Sequence, residues 1–456
     1  MAAGYVKPGV YITPKTEPSS VALLSSFRKT CIIGVGDTFK RVSNEAVVRS
    51  STGDVDNLGY TSEGIVALIS AGNQVGLVNY VLDTDYQLTG NQIEWLTVNK
   101  PVDGATYYVT YTYTRPTSDY KYKEFNDFSV FTDDMGSPSA TNLISLLTFI
   151  GVKINLCPYW STVQVQSPYS YTDYINAIEL TKYRDVQDII VLSDDPDIQL
   201  YVKNFCEERS LPQNKKRRIF WTGSSTGTLP GDLNTAGTIA GDAATLKSKR
   251  AIVVSPSRAK ASYDDAVTKL EVTVEVSGSF IAGVLAMYRS TILDPAAPLL
   301  RKQIQGLEFY DEDFDTYFGD FNMDKMGTAG VCVLQPVLGI PTVRDDLTTD
   351  QSDVTTKDIN IVTASDYVDR VVEERMDSRF IGQKIIDRTQ YLADVKNYLI
   401  RIIRLLKSEE VISSFDIGDV NVSIDANAPT DILMAYSWLP IYTNKRIFGS
   451  YVLKTA

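Results

Sequence analysis

Short apolar runs alternate with stretches of helical periodicity through the middle of the chain. Ile189–Leu192 (IIVL), Arg218–Trp221 (RIFW) and Ala251–Ser255 (AIVVS) read as buried strands, while Tyr171–Tyr183, Asp197–Ser210 and Ala236–Lys249 carry apolar residues at helical spacing. Upstream, Thr30–Thr38 (TCIIGVGDT) reads as a buried strand entering a glycine turn, and Ser62–Gly72 as a short capped helix. Strands separated by helices imply right-handed crossovers and a mostly parallel sheet covered on its faces. The most apolar stretches, Asn142–Leu156 and Phe280–Tyr288, are too short or too interrupted to cross a bilayer. They are expected in a core, with no membrane insertion.

A different pattern interrupts this one. From Val78 to Thr114 the chain turns to Tyr, Thr and Val, with turn signals at Thr89-Gly90-Asn91 and Val102-Asp103-Gly104. In TYYVTYTYT, residues Tyr107, Val109, Tyr111 and Tyr113 fall on one face and Tyr108, Thr110, Thr112 and Thr114 on the other. The alternation predicts an inserted antiparallel β module. The polar stretch Arg344–Asp358 is expected to divide the α/β part from a C-terminal α+β part. That part holds helices over Tyr367–Phe380 and Arg388–Ser408 and strands over Asp419–Asp425, Ile432–Tyr442 and Arg446–Lys454.

The start of the chain is extended: Gly4–Thr13 (GYVKPGVYIT) is rich in strand formers, Pro8-Gly9 breaks it, and Pro14 and Pro18 forbid a helix. No turn dipeptide folds it back as a hairpin, so its backbone groups need a distant partner or another molecule. The expected organisation is an arm over 1–20, an α/β core domain over 21–77 and 117–343, the β module over 78–116, a C-terminal domain over 344–441 and a second arm over 442–456. The fold class is thus a mostly parallel α/β core with an inserted antiparallel β module and an α+β C-terminal domain.

With 456 residues, 44% of them hydrophobic and 22% charged, the chain is globular and long enough for several domains. Its formal net charge of −12 disfavours direct nucleic-acid binding. Histidine is absent, which removes the commonest general base, the usual zinc ligand and every Ser-His or Cys-His nucleophile pair. Cys31, Cys157, Cys206 and Cys332 lie far apart among apolar neighbours and read as buried free thiols of a protein made in a reducing cytoplasm. No basic segment followed by an apolar stretch opens the chain, so export by the general secretory route is not expected.

Candidate chemistry is sparse. GVGDTF lacks the third glycine of a dinucleotide loop, where Phe39 stands. The run DEDFDTYFGDFN places Asp311, Asp313 and Asp315 at calcium-loop spacing, but Thr316 replaces the required glycine and Asn322 the bidentate glutamate. Asp194 and Asp195 follow one predicted strand and Ser224 and Ser225 another, where an open α/β sheet places a ligand crevice. An α/β enzyme or ligand-binding protein built on Asp194 and Ser224 is one reading; helix capping is the other. The basic run Asn214–Arg218 (NKKRR) is expected to be a solvated turn. On the helix Arg388–Ser408, Leu392, Val395, Leu399, Ile402, Ile403 and Leu406 make an apolar stripe beside a face bearing Lys396, Arg401, Arg404 and Lys407. Such a face suits an acidic partner or plain solvation.

Taken in order, PGVYI (Pro8–Ile12), CIIGVG (Cys31–Gly36), FCEERSLPQNKKRRIFWTG (Phe205–Gly223), RAIVVS (Arg250–Ser255), FIAGVLAMY (Phe280–Tyr288), MGTAGVCVLQP (Met326–Pro336), VRDDLTT (Val343–Thr349) and Glu374–Leu399 resemble the tail sheath proteins of contractile-tailed bacteriophages. The Arg-Gly-Thr-Arg-Thr type motif of many sheaths is missing, and Gly36-Asp37-Thr38 stands in place of Arg-Gly-Pro. The resemblance implies a structural protein of the virion, assembled in the host cytoplasm, without enzymatic activity or cofactor. It implies a homo-oligomer of stacked hexameric rings around an inner tail tube, bounded by a baseplate and a tail terminator, that contracts to drive the tube through the cell envelope during genome delivery. It further implies that an N-terminal strand with Tyr5, Val6, Val10, Tyr11 and Ile12, and a C-terminal strand with Ile447, Phe448, Tyr451, Val452 and Leu453, add to the C-terminal sheets of neighbouring subunits. The face with Lys396, Arg401, Arg404 and Lys407 would then touch the tube.

Overall fold

In the computed structural model, residues 28–70, 79–96, 99–116, 119–265, 269–383, 385–425 and 431–443 are described. The first strand, β1 (Thr30–Val35), is apolar throughout and becomes a central strand of the largest sheet. The chain then leaves that sheet for two small antiparallel ones. One is formed by β2 (Phe39–Val48), β4 (Ser62–Ser70) and β7 (Thr106–Thr114), with β7 in the middle; the other by β3 (Val55–Asn57), β5 (Tyr86–Thr89) and β6 (Gln92–Trp95). As the alternation predicts, Tyr107, Val109, Tyr111 and Tyr113 are buried, here against Val47, Tyr86, Ile93 and Trp95.

This region corrects two expectations. Where a helix is expected from Ser62, Ser62–Ser70 is a strand pairing with β7, with Ile65 opposite Tyr111 and Leu68 opposite Val109. The partner strand overrides a helix-like spacing. The antiparallel strands also begin at Phe39, not at Val78, because β7 needs β2 on one side and β4 on the other. The module's ends meet where the Arg115 N–H donates to the Thr38 carbonyl at 2.9 Å.

Back in the large sheet come β8 (Lys123–Phe125), β9 (Trp160–Val165), β10 (Asp188–Val191), β11 (Ile219–Gly223) and β12 (Ala251–Ser255). A small sheet of β13 (Arg258–Asp264), β14 (Glu271–Ser277) and β15 (Leu307–Glu308) follows, and then the hairpin β16 (Val331–Val337) and β17 (Ile340–Asp345). The large sheet has 8 strands in the order β17-β16-β12-β11-β10-β1-β9-β8, parallel except for its two edge strands. Ile32, Ile190, Trp221 and Ile252 face the helices Leu143–Phe149 and Gly278–Thr291, while Cys31, Ile33, Ile189 and Phe220 face the helices Tyr171–Glu179, Pro196–Arg209 and Ile239–Leu246. Burial on both faces is why these strands read as unbroken apolar runs.

The two most apolar stretches lie in this core: Leu143–Phe149 continues into a π-helical turn, Ile150–Ile154, and Gly278–Thr291 is almost wholly buried. Among the described residues, no helix is long and apolar enough to cross a membrane.

The stretch Arg344–Asp358 is packed against the α/β core. Asp346, Thr348 and Thr349 are buried, and Thr349 exchanges hydrogen bonds with Ser248 while its N–H donates to the Ala251 carbonyl. From it springs the helix Ile359–Phe380, which pairs with the helix Arg388–Ser408 around Tyr367, Val371, Val395, Leu399, Ile403 and Leu406. The strand expected over Ile432–Tyr442 is shorter: β18 (Asn421–Ile424) and β19 (Ile432–Ala435) form a two-stranded sheet, and Pro440 follows where the chain has left it. The Tyr5–Ile12 and Ile447–Leu453 strands lie outside the described residues.

Candidate assembly surfaces

The crevice expected at the ends of β10 and β11 is filled by the protein itself. Gly223 lies so close to Gly278 that a Cβ on Gly223 would stand 2.2 Å from the Gly278 carbonyl carbon. The Gly278 N–H donates to the Ser224 carbonyl, and the Ser224 hydroxyl donates to Asp242 Oδ2 at 2.6 Å. Asp194 accepts from the hydroxyls of Ser277 and Ser279, at 3.2 and 2.7 Å, beside the first turn of the helix Gly278–Thr291. Burial raises the carboxyls of Asp194 and Asp242, and the serine hydrogen bonds only partly offset it. Asp194 and Ser224 are thus brought near one helix start, each with a structural partner. Asp195 caps the helix Pro196–Arg209 by accepting from the Asp197 N–H.

The acidic run is likewise committed to a cation of the chain. Arg258 donates to Asp313 at 2.7 and 3.0 Å and to Glu312 at 3.1 Å. All four cysteines are buried free thiols, and burial pushes Cys31 and Cys206 up to about 12 and Cys157 to about 11.

The basic run Asn214–Arg218 is not a solvated turn. Arg218 is fully buried and donates to the carbonyls of Thr181, Lys182 and Arg184, closing the end of a helix. Arg217 makes a bidentate pair with Glu373 at 2.6 and 2.8 Å and reaches Asp369 at 3.3 Å, and Lys215 meets Asp377 at 2.7 Å. Two further pairs join the same layers: Arg250 with Asp366, and Asp185 with Arg370 at 3.1 Å. The basic run therefore recognises the acidic edge of the helix Ile359–Phe380. Sequence reasoning missed this set because its partners lie more than 100 residues away; the recurrence of Asp366, Asp369, Glu373 and Asp377 at helical spacing was the available signal.

On the helix Arg388–Ser408 the structure separates the two faces as expected. Val395, Leu399, Ile402, Ile403 and Leu406 are buried, Leu392 is half-buried, Arg401, Arg404 and Lys407 are exposed, and Lys396 is partly covered. Beside this helix lies the β18–β19 pair. Among the described residues each of these strands has the other as its one sheet neighbour, and Leu433 and Met434 are exposed. A two-stranded sheet is marginal alone in water, and its outer edges carry backbone groups available to further strands.

Comparison with known proteins bears on this geometry. A family model described as a domain of unknown function (DUF4815) matches residues 32–128, a span that takes in most of β1 and the whole β module. No curated protein matches the chain. Among solved structures, a chain of the anti-feeding prophage baseplate aligns over 99% of this chain and 100% of its own, with TM-score 0.57 and 9% identity. A chain of the anti-feeding prophage helical sheath in its contracted state aligns over 98% and 99%, with TM-score 0.55 and 10% identity. The sheath tail protein of Desulfitobacterium hafniense aligns over 95% and 100% at 10% identity, with TM-score 0.46. The chain is a mixed α/β protein that shares its fold with the anti-feeding prophage baseplate chain and with the chain of the contracted helical sheath.

Proposed function

We propose that this protein is the sheath subunit of a contractile tail or injection machine and acts as a structural protein, not an enzyme. The observation that carries the reading is the likeness to a contracted helical sheath over nearly the full length of both chains. In this reading subunits form stacked hexameric rings around an inner tube, attached to a baseplate at one end and a terminator at the other, in a virion or a virion-like particle. The N-terminal strand (Tyr5, Val6, Val10, Tyr11, Ile12) and the C-terminal strand (Ile447, Phe448, Tyr451, Val452, Leu453) join the β18–β19 sheets of neighbours. Among the described residues that sheet has no further strand, which supports the idea, since strand addition satisfies backbone groups and each bond nets about 0.5–1.5 kcal/mol. Contraction then drives the tube through an envelope while the strands keep neighbours connected.

The basic row Lys396, Arg401, Arg404 and Lys407 is the surface proposed to face an acidic tube. Electron microscopy of the purified protein tests the main reading: long hollow tubes or rings are expected, and a uniformly monomeric protein at all concentrations and salts would sink it. The enzyme reading built on Asp194 and Ser224 finds no support, because the Asp194 carboxylate is spent on Ser277 and Ser279 at the start of the Gly278–Thr291 helix and the Ser224 hydroxyl on Asp242.

A further inference from the structure

The helix Ile359–Phe380 changes allegiance along its length. Its first turn belongs to the α/β core: Ile359 and Val362 join the apolar cluster on one face of the large sheet, Asn360 donates to the Ala296 carbonyl, and Thr363 donates to the Pro295 carbonyl at 2.6 Å. From Ala364 onward the apolar side chains, among them Val368, Val371, Val372 and Met376, pack instead with the helix Arg388–Ser408. The backbone of this helix runs close to the helix Arg388–Ser408 and, among the described residues, to no strand or helix of the core to the same extent. What spans the gap is charge, bordering an open cleft of about 400 Å³.

The rungs of this charge ladder are graded. Nearest the anchored turn, the side chains of Arg250 and Asp366 are 9% and 6% exposed; in the middle, Arg217 is 9% exposed and its acids Asp369 and Glu373 are 43% and 26%; at the far end, Lys215 and Asp377 are 49% and 52%. From Asp366 to Asp377 the ladder runs about 16 Å along the helix. An apolar seam holds two layers at one spacing and resists wetting. A ladder open to water at one end has its weakest members there, where pairs are screened and worth little. Opening from that end wets groups that water solvates well.

We propose that the helix Ile359–Phe380 is a hinged arm, fixed at Ile359–Thr363 and latched to the α/β core by the Arg217-centred charge ladder, so that the C-terminal helical layer can change its angle to the core without either layer unfolding. The pivot is the stretch where core contacts end and helix-pair contacts begin. The latch is Arg217 with Asp369 and Glu373, supported by the outer rung at Asp377. This inference concerns the single chain and does not rest on the sheath reading.

The test is a distance measurement. Spin labels on Asn204→Cys and Ser378→Cys report the separation of core and arm; both positions are exposed, and the native cysteines are buried. Labelled chain is diluted into unlabelled chain so that only intramolecular distances are read by pulsed electron paramagnetic resonance. The unmodified ladder is expected to give one narrow distance. Arg217→Glu should add a longer, broader component of at least a third of the population. Arg217→Glu/Glu373→Arg should restore the narrow one, because Arg at 373 pairs with Glu at 217 and with Asp369 one turn back. The near-isosteric set Asp369→Asn/Glu373→Gln/Asp377→Asn should open the arm as Arg217→Glu does, and it decides the matter if the charge reversal fails to fold. Unlatched variants should keep native circular dichroism. An unchanged narrow distance in either unlatched variant overturns the proposal, since apolar contacts alone would then set the angle. So does a broadening that the charge exchange fails to narrow, or loss of helical signal together with the longer distance in the near-isosteric variant.

Discussion

Asp134 joins the β module to the α/β core through one carboxylate. It accepts from Lys123 at 2.7 and 3.0 Å on the core side and pairs with Lys40, from β2, at 3.0 Å. Burial alone would raise its pKa, but the hydrogen bonds and charges of Lys123 and Lys40 outweigh it, so the carboxyl titrates below the usual range. A folded pKa below the unfolded one contributes stability that is present above the unfolded value, near 3.9, and is lost as pH falls through the folded value. Asp134→Asn is therefore expected to cost about 1–2 kcal/mol at pH 7, discounting for partial exposure, and progressively less below pH 4. Denaturant melts across pH 3–7 check this, and a cost independent of pH would point to lost packing. At the same scale, Asp56 is the buried acceptor for the Tyr107 hydroxyl at 2.9 Å, the Trp95 indole N–H at 2.8 Å and the Ser50 N–H at 2.6 Å. Asp56→Ala strands these donors and should cost the module about 2–4 kcal/mol, seen as an early transition in tyrosine and tryptophan fluorescence while the α/β core melts unchanged.

Elements whose partners are local in sequence, or whose faces are unambiguous, were legible. The helix Arg388–Ser408 spans the residues its periodicity assigns, and TYYVTYTYT buries the face its alternation assigns. Ser62–Ser70 was not legible because GIVALI fits either period, and what decides is β7, about 40 residues further on. The Asn214–Arg218 turn looks solvated in sequence because its acids lie on a helix far along the chain. The open side of the Arg388–Ser408 helix carries the prediction that belongs to this scale. Arg401→Glu/Arg404→Glu leaves the apolar stripe untouched, so the melting temperature should stay within a few degrees while co-assembly with an acidic tube is lost. Exposed pairs of about 0.2–1 kcal/mol each, repeated around a ring, add to a firm yet reversible contact. Raised salt should mimic the loss. Charge-reversed subunits that decorate tubes at normal length in low salt would place the tube contact elsewhere.

At the scale of the whole molecule, the β module is an excursion from a sheet that would be continuous without it. β1 leads into Thr38, Arg115 leads back toward β8, and the two ends are already joined by a hydrogen bond. An insertion that leaves and re-enters at adjoining points can be removed without reshaping its host, provided the cut respects its pairing. Replacing residues 39–114 by a short Gly-Ser linker should therefore leave the α/β core and C-terminal helices folded, at the cost of the Lys40–Asp134 pair and about 1 kcal/mol. Replacing only Val78–Pro116 should do the opposite. It removes β7, the central strand, leaves β2 and β4 with unpaired edges, and takes Tyr107, Val109 and Tyr111 away from Val47. Exposed edges of that kind pair with other chains. The larger deletion is thus expected to be the soluble one, by sedimentation and by retention of the core melting transition, and the smaller one to aggregate. If the core of the 39–114 variant fails to fold, the module is part of the core's own fold and not an excursion from it.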